Sequence, residues 1–166
     1  MGKTLIAYYS RRGENYVNGS IVNLKLGNTE VVVGKIKALL PDADMFQIDT
    51  TYEYSKDYMT CIEEAKRELH DQVRPEVKNP LESIDEYDTI ILGYPNWWGT
   101  MPRCATRSWS RMTSRARLSS HSAPTRAAAW VQVSASSRSS VLRPMSRREL
   151  QFTVPRQPMP TVKQEK

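Results

Sequence analysis

The stretch "TIILGYPNWWGTMPRCATRSWSRMTSRARLSS", residues 89–120, decides how the chain is read. Its first half is an aliphatic run followed by glycine, proline and paired tryptophans, the pattern of a buried strand and the loop beyond it. Its second half is serine and arginine without an aliphatic run. The change falls at Pro102. Residues 1–102 hold 11 Lys+Arg against 16 Asp+Glu, a balance of −5, whereas residues 103–166 hold 13 against 2, a balance of +11. The net charge of +6 therefore belongs to the tail, and so does any hint of nucleic-acid binding. All seven Gly and all eight Tyr precede residue 103, while the tail carries 12 of the 16 Ser and has no Asp, Ile, Gly or Tyr. A segment without glycines for turns or aliphatics for strands is expected to be disordered or poorly packed.

Before Pro102 the pattern is regular. "KTLIAYYS" (3–10) reads as a buried parallel strand, and "NTEVVVGKIKALL" (28–40) as a helix capped by Asn28 or Thr29 with Pro41 just past its end. "DMFQID" (44–49) is a short strand. "SKDYMTCIEEAKRELHDQ" (55–72) is a charged amphipathic helix, with Ser55 as a partial cap and Arg74-Pro75 closing it. "YDTIILGYP" (87–95) is a third strand. Strands alternating with helices predict βαβ units, a parallel sheet, and ligands at the carboxyl ends of the strands.

Two loops leave those ends. The first follows Ser10 and ends in "GNTE", which opens a helix; its backbone N–H groups and the hydroxyls of Ser10 and Thr29 suit a phosphate, though an ordinary loop and N-cap read equally well. The second is "GYPNWWGT" (93–100). Neighbouring Trp97 and Trp98 point in different directions and are not expected to be core together, so one indole at this position can wall a slot for a flat ring; the alternative is a hydrophobic plug on the sheet. Gly99 is read as allowing close backbone approach.

Taken together, a strand ending in Ser, "GNT" opening the first helix and "LGYPNWWGTMP" after the third strand resemble the flavodoxin family over residues 3–102. The resemblance implies a flavodoxin-like α/β sandwich, a doubly wound parallel sheet between helices, of which this chain supplies the β-α-β-α-β part. It implies non-covalent FMN and electron transfer. It implies that Ser10, Asn28 and Thr29, with Gly27, hold the phosphate, and that Pro95, Asn96, Trp97, Trp98 and Gly99, between Tyr94 and Thr100, flank the isoalloxazine ring. The family's phosphate loop is usually continuous, but here residues 11–25 intervene and Leu26 stands where Thr is usual, so "SRRGEN" (10–15) competes with "GNT" (27–29) for the phosphate. Arg11 and Arg12 either add charge-assisted bonds or are solvated. An NAD(P)H-dependent, quinone-type reductase on the same FMN site is the alternative within the family. Aromatic stacking and the acidic front half are expected to lower the flavin potential.

A flavodoxin needs two further strands and a third flavin loop after residue 102. Read one nucleotide earlier, Met112-Thr113 forces Asp, Trp130-Val131 forces Gly and Met159-Pro160 forces Ala. With permitted third bases, residues 112–131 yield "DFSGKTIIPFCTHEGSGMG", a strand followed by a glycine-rich loop. The expectation is a frameshift near Pro102 or Arg103, a tail that is the wrong frame of the same gene, and FMN binding that is weak or absent in the chain as written.

Other classes fit less well. The tail has few aromatics for base stacking (Trp109, Trp130, Phe152), so RNA or another polyanion is a minor alternative. "MGKT" lacks the glycine-rich loop and preceding strand of a P-loop. His70 and His121 are isolated, without metal-ligand spacing, and His70 is expected at the surface. No apolar run reaches the ~18 residues of a membrane span. Cys61 and Cys104 form no disulfide framework, and a cytoplasmic protein serving redox partner proteins or small electron acceptors is expected. No side chain is expected to act as a nucleophile or general base.

Overall fold

Consecutive apolar residues in β1 (Lys3–Tyr8) bury both of its faces, and the rest of the fold is arranged around that strand. The computed structural model describes residues 3–108, 110, 127–133 and 141–145. Its remaining elements are β2 (Gly13–Val17), β3 (Ser20–Leu24), α1 (Asn28–Leu39), β4 (Asp44–Gln47), α2 (Tyr58–His70), β5 (Tyr87–Pro95), β6 (Ala127–Val133) and β7 (Val141–Met145). The main sheet has the order β4-β1-β5-β6-β7. The first three pairings are parallel and β6–β7 is antiparallel.

One face of the sheet gathers Leu5, Ala7, Tyr9, Ile48, Ile90 and Leu92 into a core. The other packs Ile6 and Tyr8 against Val33 of α1. Helix α1 sends Thr29 and Val33, one turn apart, onto the sheet. Its cap is not the expected one. Gly27 holds the N-cap position with no side-chain bond, and the side-chain acceptor comes from the loop just after β1: Ser10 Oγ accepts the Glu30 N–H at 3.0 Å. In α2 the cap is Asp57 rather than Ser55; its carboxylate accepts the Thr60 N–H at 2.7 Å, which holds it below the usual carboxylate range. Ser55 instead accepts the Asp57 N–H at 3.2 Å, two residues too early to start the helix.

Residues 11–25 are not an irregular loop. They fold into the β2–β3 hairpin, turned at Asn18-Gly19 with φ of 50° and 95°. Two successive positive φ values define a type I′ turn, for which Asn-Gly is a favoured pair.

The tail also departs from expectation near its start. Residues 103–108 are helical, and Cys104 and Ala105 are buried in the core of the front half. Arg103 donates to the carbonyls of Gln72 and Val73, and Arg107 to that of Arg74, so the change in composition at residue 103 is not a change in the packed fold. A tail that supplied no further strand would leave β5 with a bare edge. Instead β6 pairs with it in register from Thr89↔Ala127 to Pro95↔Val133. The segment "AAAWVQV" opens the longest run of the tail free of charge and proline, residues 127–137, which lets it pair along a strand. Trp109, His121 and Phe152 lie outside the described residues, as does the expectation of disorder over most of 111–166.

Candidate functional site

A cleft of about 290 Å³ opens at the carboxyl ends of β1 and β5, where a parallel sheet is expected to bind its ligand. Of the residues picked out in the sequence, Ser10, Arg11, Asn28, Thr29, Pro95, Asn96, Trp97 and Trp98 line it. Gly27, Tyr94, Gly99 and Thr100 do not. Asn15, from the "SRRGEN" stretch, lines it too; Tyr16 of the hairpin and Tyr58, Cys61, Ile62 and Ala65 of α2 complete the wall and were not picked out as site residues in the sequence. Nothing in the chain's order marks α2 as a cleft wall, because it is brought there by the hairpin.

At the α1 end, Ser10 and Arg11 cross directly over Gly27. A Cβ on Gly27 would lie 2.2 Å from Ser10 Oγ and 2.3 Å from the Arg11 carbonyl oxygen, so this position must lack a side chain. Gly27 acts by allowing the close crossing, not by lining the cleft. Thr29 is 1 % exposed, and its Oγ1 is buried with no hydrogen-bond partner among the described residues. A buried hydroxyl left unpaired is unfavourable by about 1–3 kcal/mol, and here it belongs to a cleft-lining residue in the first turn of a helix.

Both arginines are already paired within the chain, Arg12 while still exposed. Arg12 forms a two-pronged pair with Glu30 (3.0 and 2.6 Å), and that guanidinium holds the Glu30 carboxyl below its ordinary range. The pair neutralises the carboxylate in the first turn of α1, which would otherwise repel an anion at that terminus. Arg11 is a clamp. Its guanidinium donates to the Glu14 carbonyl within the hairpin and to the carbonyls of Ser55 (2.7 Å) and Lys56 (2.9 Å) before α2. The Glu14 carboxylate accepts the Tyr58 N–H at 2.8 Å, and Tyr16 stacks on Tyr58 with ring centroids 6.2 Å apart. Hairpin and α2 thus close one side of the cleft together.

At the other end the two tryptophans divide the work. Trp97 and Thr100 exchange backbone hydrogen bonds of 3.0 Å each, closing a two-residue turn in which Trp98 (φ 52°) and Gly99 (φ 77°) both take the left-handed conformation. Nothing lies within 4 Å of a Cβ built on Gly99, so that glycine serves the turn's φ and not a close approach. A bulky non-glycine residue at positive φ is uncommon and marks functional loops. Trp97 turns inward and meets Tyr9 and Tyr54 edge-on at 5.5 and 5.1 Å, so it is the plug. Trp98 turns outward, 49 % exposed, with its indole N–H donated to the Ile62 carbonyl at 3.0 Å and Lys66 Nζ 5.4 Å from the ring centre. It is the wall. Tyr94 packs against the core.

The cleft holds no ready nucleophile. Burial pushes the Cys61 thiol up to about 11, keeping it protonated at neutral pH. Cys61 and Cys104 are both free and buried. His70 lies at the surface, its side chain 87 % exposed. Among the described residues no helix is long and apolar enough to cross a membrane.

Comparison with known proteins agrees with this architecture. No curated protein matches the chain. Among solved structures, a flavoprotein from Bacteroides eggerthii superposes with a TM-score of 0.59 at 23 % identity, covering 82 % of this chain and 74 % of that one. A flavoprotein from Lactobacillus acidophilus, solved in complex with FMN, superposes with a TM-score of 0.60 at 19 % identity, covering 82 % and 78 %. At these identities the likeness speaks for the fold. The flavodoxin family model matches residues 3–108, and the chain belongs to the flavodoxin family.

Proposed function

We propose that the cleft binds FMN and that the protein carries electrons through it. The observation that supports this best is Thr29 Oγ1: a buried hydroxyl without a partner, in a cleft-lining residue at a helix N-terminus, suits a phosphate oxygen. Ser10, Asn28 and Thr29 would hold the phosphate, and Pro95, Asn96, Trp97 and Trp98 would flank the ring. Bound there, FMN would supply reversible one- and two-electron redox chemistry. The chain's own contribution is positional. Arg12 removes the charge of Glu30 from the phosphate end, Arg11 and Glu14 hold the hairpin against α2, and the Trp97–Thr100 turn presents Trp98.

A third flavin loop after the fourth strand would fall at residues 134–140, which lie outside the described residues. In sequence those residues, SASSRSS, have none of the glycines of such a loop, so FMN binding is expected to be weak. Titrating FMN with the full chain and following quenching of flavin fluorescence tests this. Stoichiometric, saturable quenching supports the reading, and FMN that stays fully fluorescent and elutes apart from the chain refutes it. Turnover with NADH then separates a carrier, which needs a partner reductase, from a quinone-type reductase. The composition of the tail supports a frameshift as its origin. The family match ends at Ser108, inside the span of codons 98–115 whose resequencing decides the point.

A further inference from the structure

Behind the cleft wall lies a line of aromatic rings that flavin binding does not require. Trp97, which lines the cleft, meets Tyr54 edge-on at 5.1 Å, and Tyr54 meets Tyr52 edge-on at 5.3 Å. Tyr52 is 46 % exposed, so the line runs from the cleft to the surface. Both tyrosines donate their O–H to carboxylates of α2: Tyr54 to Glu68 at 2.8 Å and Tyr52 to Glu64 at 3.0 Å. Packing alone accounts for the rings but not for a carboxylate on each phenol. A phenol gives up an electron readily only when its proton can leave at the same time, and a carboxylate at hydrogen-bond distance receives that proton.

We propose that Trp97, Tyr54 and Tyr52 form a path along which single oxidising equivalents leave the cleft for the surface, with Glu68 and Glu64 as proton acceptors. The proposal rests on the flavin reading above, which supplies the oxidant. When a one-electron oxidant in the cleft, such as a photoexcited oxidised flavin, takes an electron from the Trp97 indole, Tyr54 returns one to Trp97 and passes its phenolic proton to Glu68. Tyr52 then gives an electron to Tyr54 and its proton to Glu64, and Glu68 hands its proton back to Tyr54. The oxidant has gained one electron, Tyr52 lacks one electron and one proton, and that proton sits on Glu64. A thiol in solution restores Tyr52 by giving up a hydrogen atom, and Glu64 releases its proton to solvent. Burial raises both the Tyr54 phenol and the Glu68 carboxyl above their ordinary ranges, so the proton stays on Tyr54 until the electron departs and Glu68 is a better base than a solvated carboxylate.

Pulse radiolysis of the full chain with azide radical, which oxidises indoles in preference to phenols, tests the path without FMN. Transient absorption distinguishes the indole radical from the tyrosyl radical. The expected result is first-order transfer from indole to phenol at a rate independent of protein concentration. Tyr54→Phe, which keeps the ring, should slow it at least tenfold. Glu68→Gln, which keeps a hydrogen-bond acceptor but removes the base, should slow it several-fold. Tyr87→Phe, at the end of β5 away from the cleft and off the path, should leave it unchanged. Equal rates in the parent, Tyr54→Phe and Glu68→Gln chains overturn the proposal. Should Tyr54→Phe lose its fold by circular dichroism, Glu68→Gln and Tyr52→Phe carry the same comparison. The FMN titration, run in parallel, keeps the two readings apart. FMN binding without radical transfer overturns the path alone. Radical transfer without FMN binding overturns the flavin reading, and with it the cleft end of the path.

Discussion

The loop after β1 and the loop after β5 meet in one cleft, but they are held by different physics. The β5 loop holds itself: two reciprocal hydrogen bonds between Trp97 and Thr100 close it, and the intervening pair supplies both positive φ values. The β1 loop is held by distant parts of the chain. Ser10 is bonded to α1, Arg12 to Glu30, and Arg11 to carbonyls 44 and 45 residues away. A local turn keeps its shape whatever surrounds it, whereas a loop tied by tertiary bonds keeps its shape only while its partners stay in place. The phosphate end of the cleft should therefore be the fragile end.

Paired glycine substitutions test that contrast most directly. Gly27→Ala places a methyl group against a backbone carbonyl that cannot swing aside. It should destabilise the fold by about 3 kcal/mol, read as a fall in the urea midpoint, and abolish FMN binding. A loss below about 1 kcal/mol would mean that the two loops part easily. Arg11→Met removes the bonds to the Ser55 and Lys56 carbonyls while keeping the side chain's bulk. A loss of about 2 kcal/mol is expected, with faster hydrogen exchange in β2 and β3. Unchanged exchange there would show that the hairpin does not depend on α2.

Thr29→Val keeps the shape and deletes the unpaired hydroxyl. Stability should hold or rise, while FMN affinity falls about tenfold, the loss of one hydrogen bond to a charged acceptor. A fall in both would make Thr29 structural. At the self-held end, Gly99→Ala meets no atom within 4 Å and has only its φ of 77° to contend with. It should destabilise by about 1 kcal/mol, less than Gly27→Ala; the reverse order would invert the contrast between the loops.

The smallest effect concerns pH. Glu30 is held below its ordinary range by Arg12, so the native state binds fewer protons at that site than the unfolded chain. Its stabilising contribution is complete above the unfolded carboxyl range and is lost as pH falls through the lower, folded value. Glu68 is raised by burial and acts in the opposite sense: its contribution is full below the unfolded value and is lost as pH rises through the folded one. Arg12→Ala should therefore flatten the acid limb of a urea-midpoint profile. A limb that keeps its slope would show that the ion pair adds nothing.

Much of this was legible in residue order. The third strand runs over Tyr87–Pro95 as its apolar run indicates, because a run of that length bounded by a proline and glycine loop has few other ways to be buried. The Asn18-Gly19 pair signals its hairpin in two letters, yet residues 11–25 read as an interruption because the family's phosphate loop is usually continuous. Composition located the change at residue 103 but not the end of the packed fold, since Cys104 and Ala105 are buried among residues whose averages belong to the tail.

What the sequence determined by itself is local: which runs become strands and helices, that two adjacent tryptophans must diverge, and that a parallel sheet opens its ligand site at β1 and β5. Tertiary structure alone decided which tryptophan is plug and which is wall, that Ser10 rather than Asn28 or Thr29 caps α1, and that Arg11 is bound to carbonyls rather than free for a phosphate. Periodicity and turn chemistry act over a few residues and can be read in order along the chain. Those three outcomes depend on which groups meet across 20 residues (Ser10 to Glu30) to 88 (Tyr9 to Trp97), and only the packed chain brings them together.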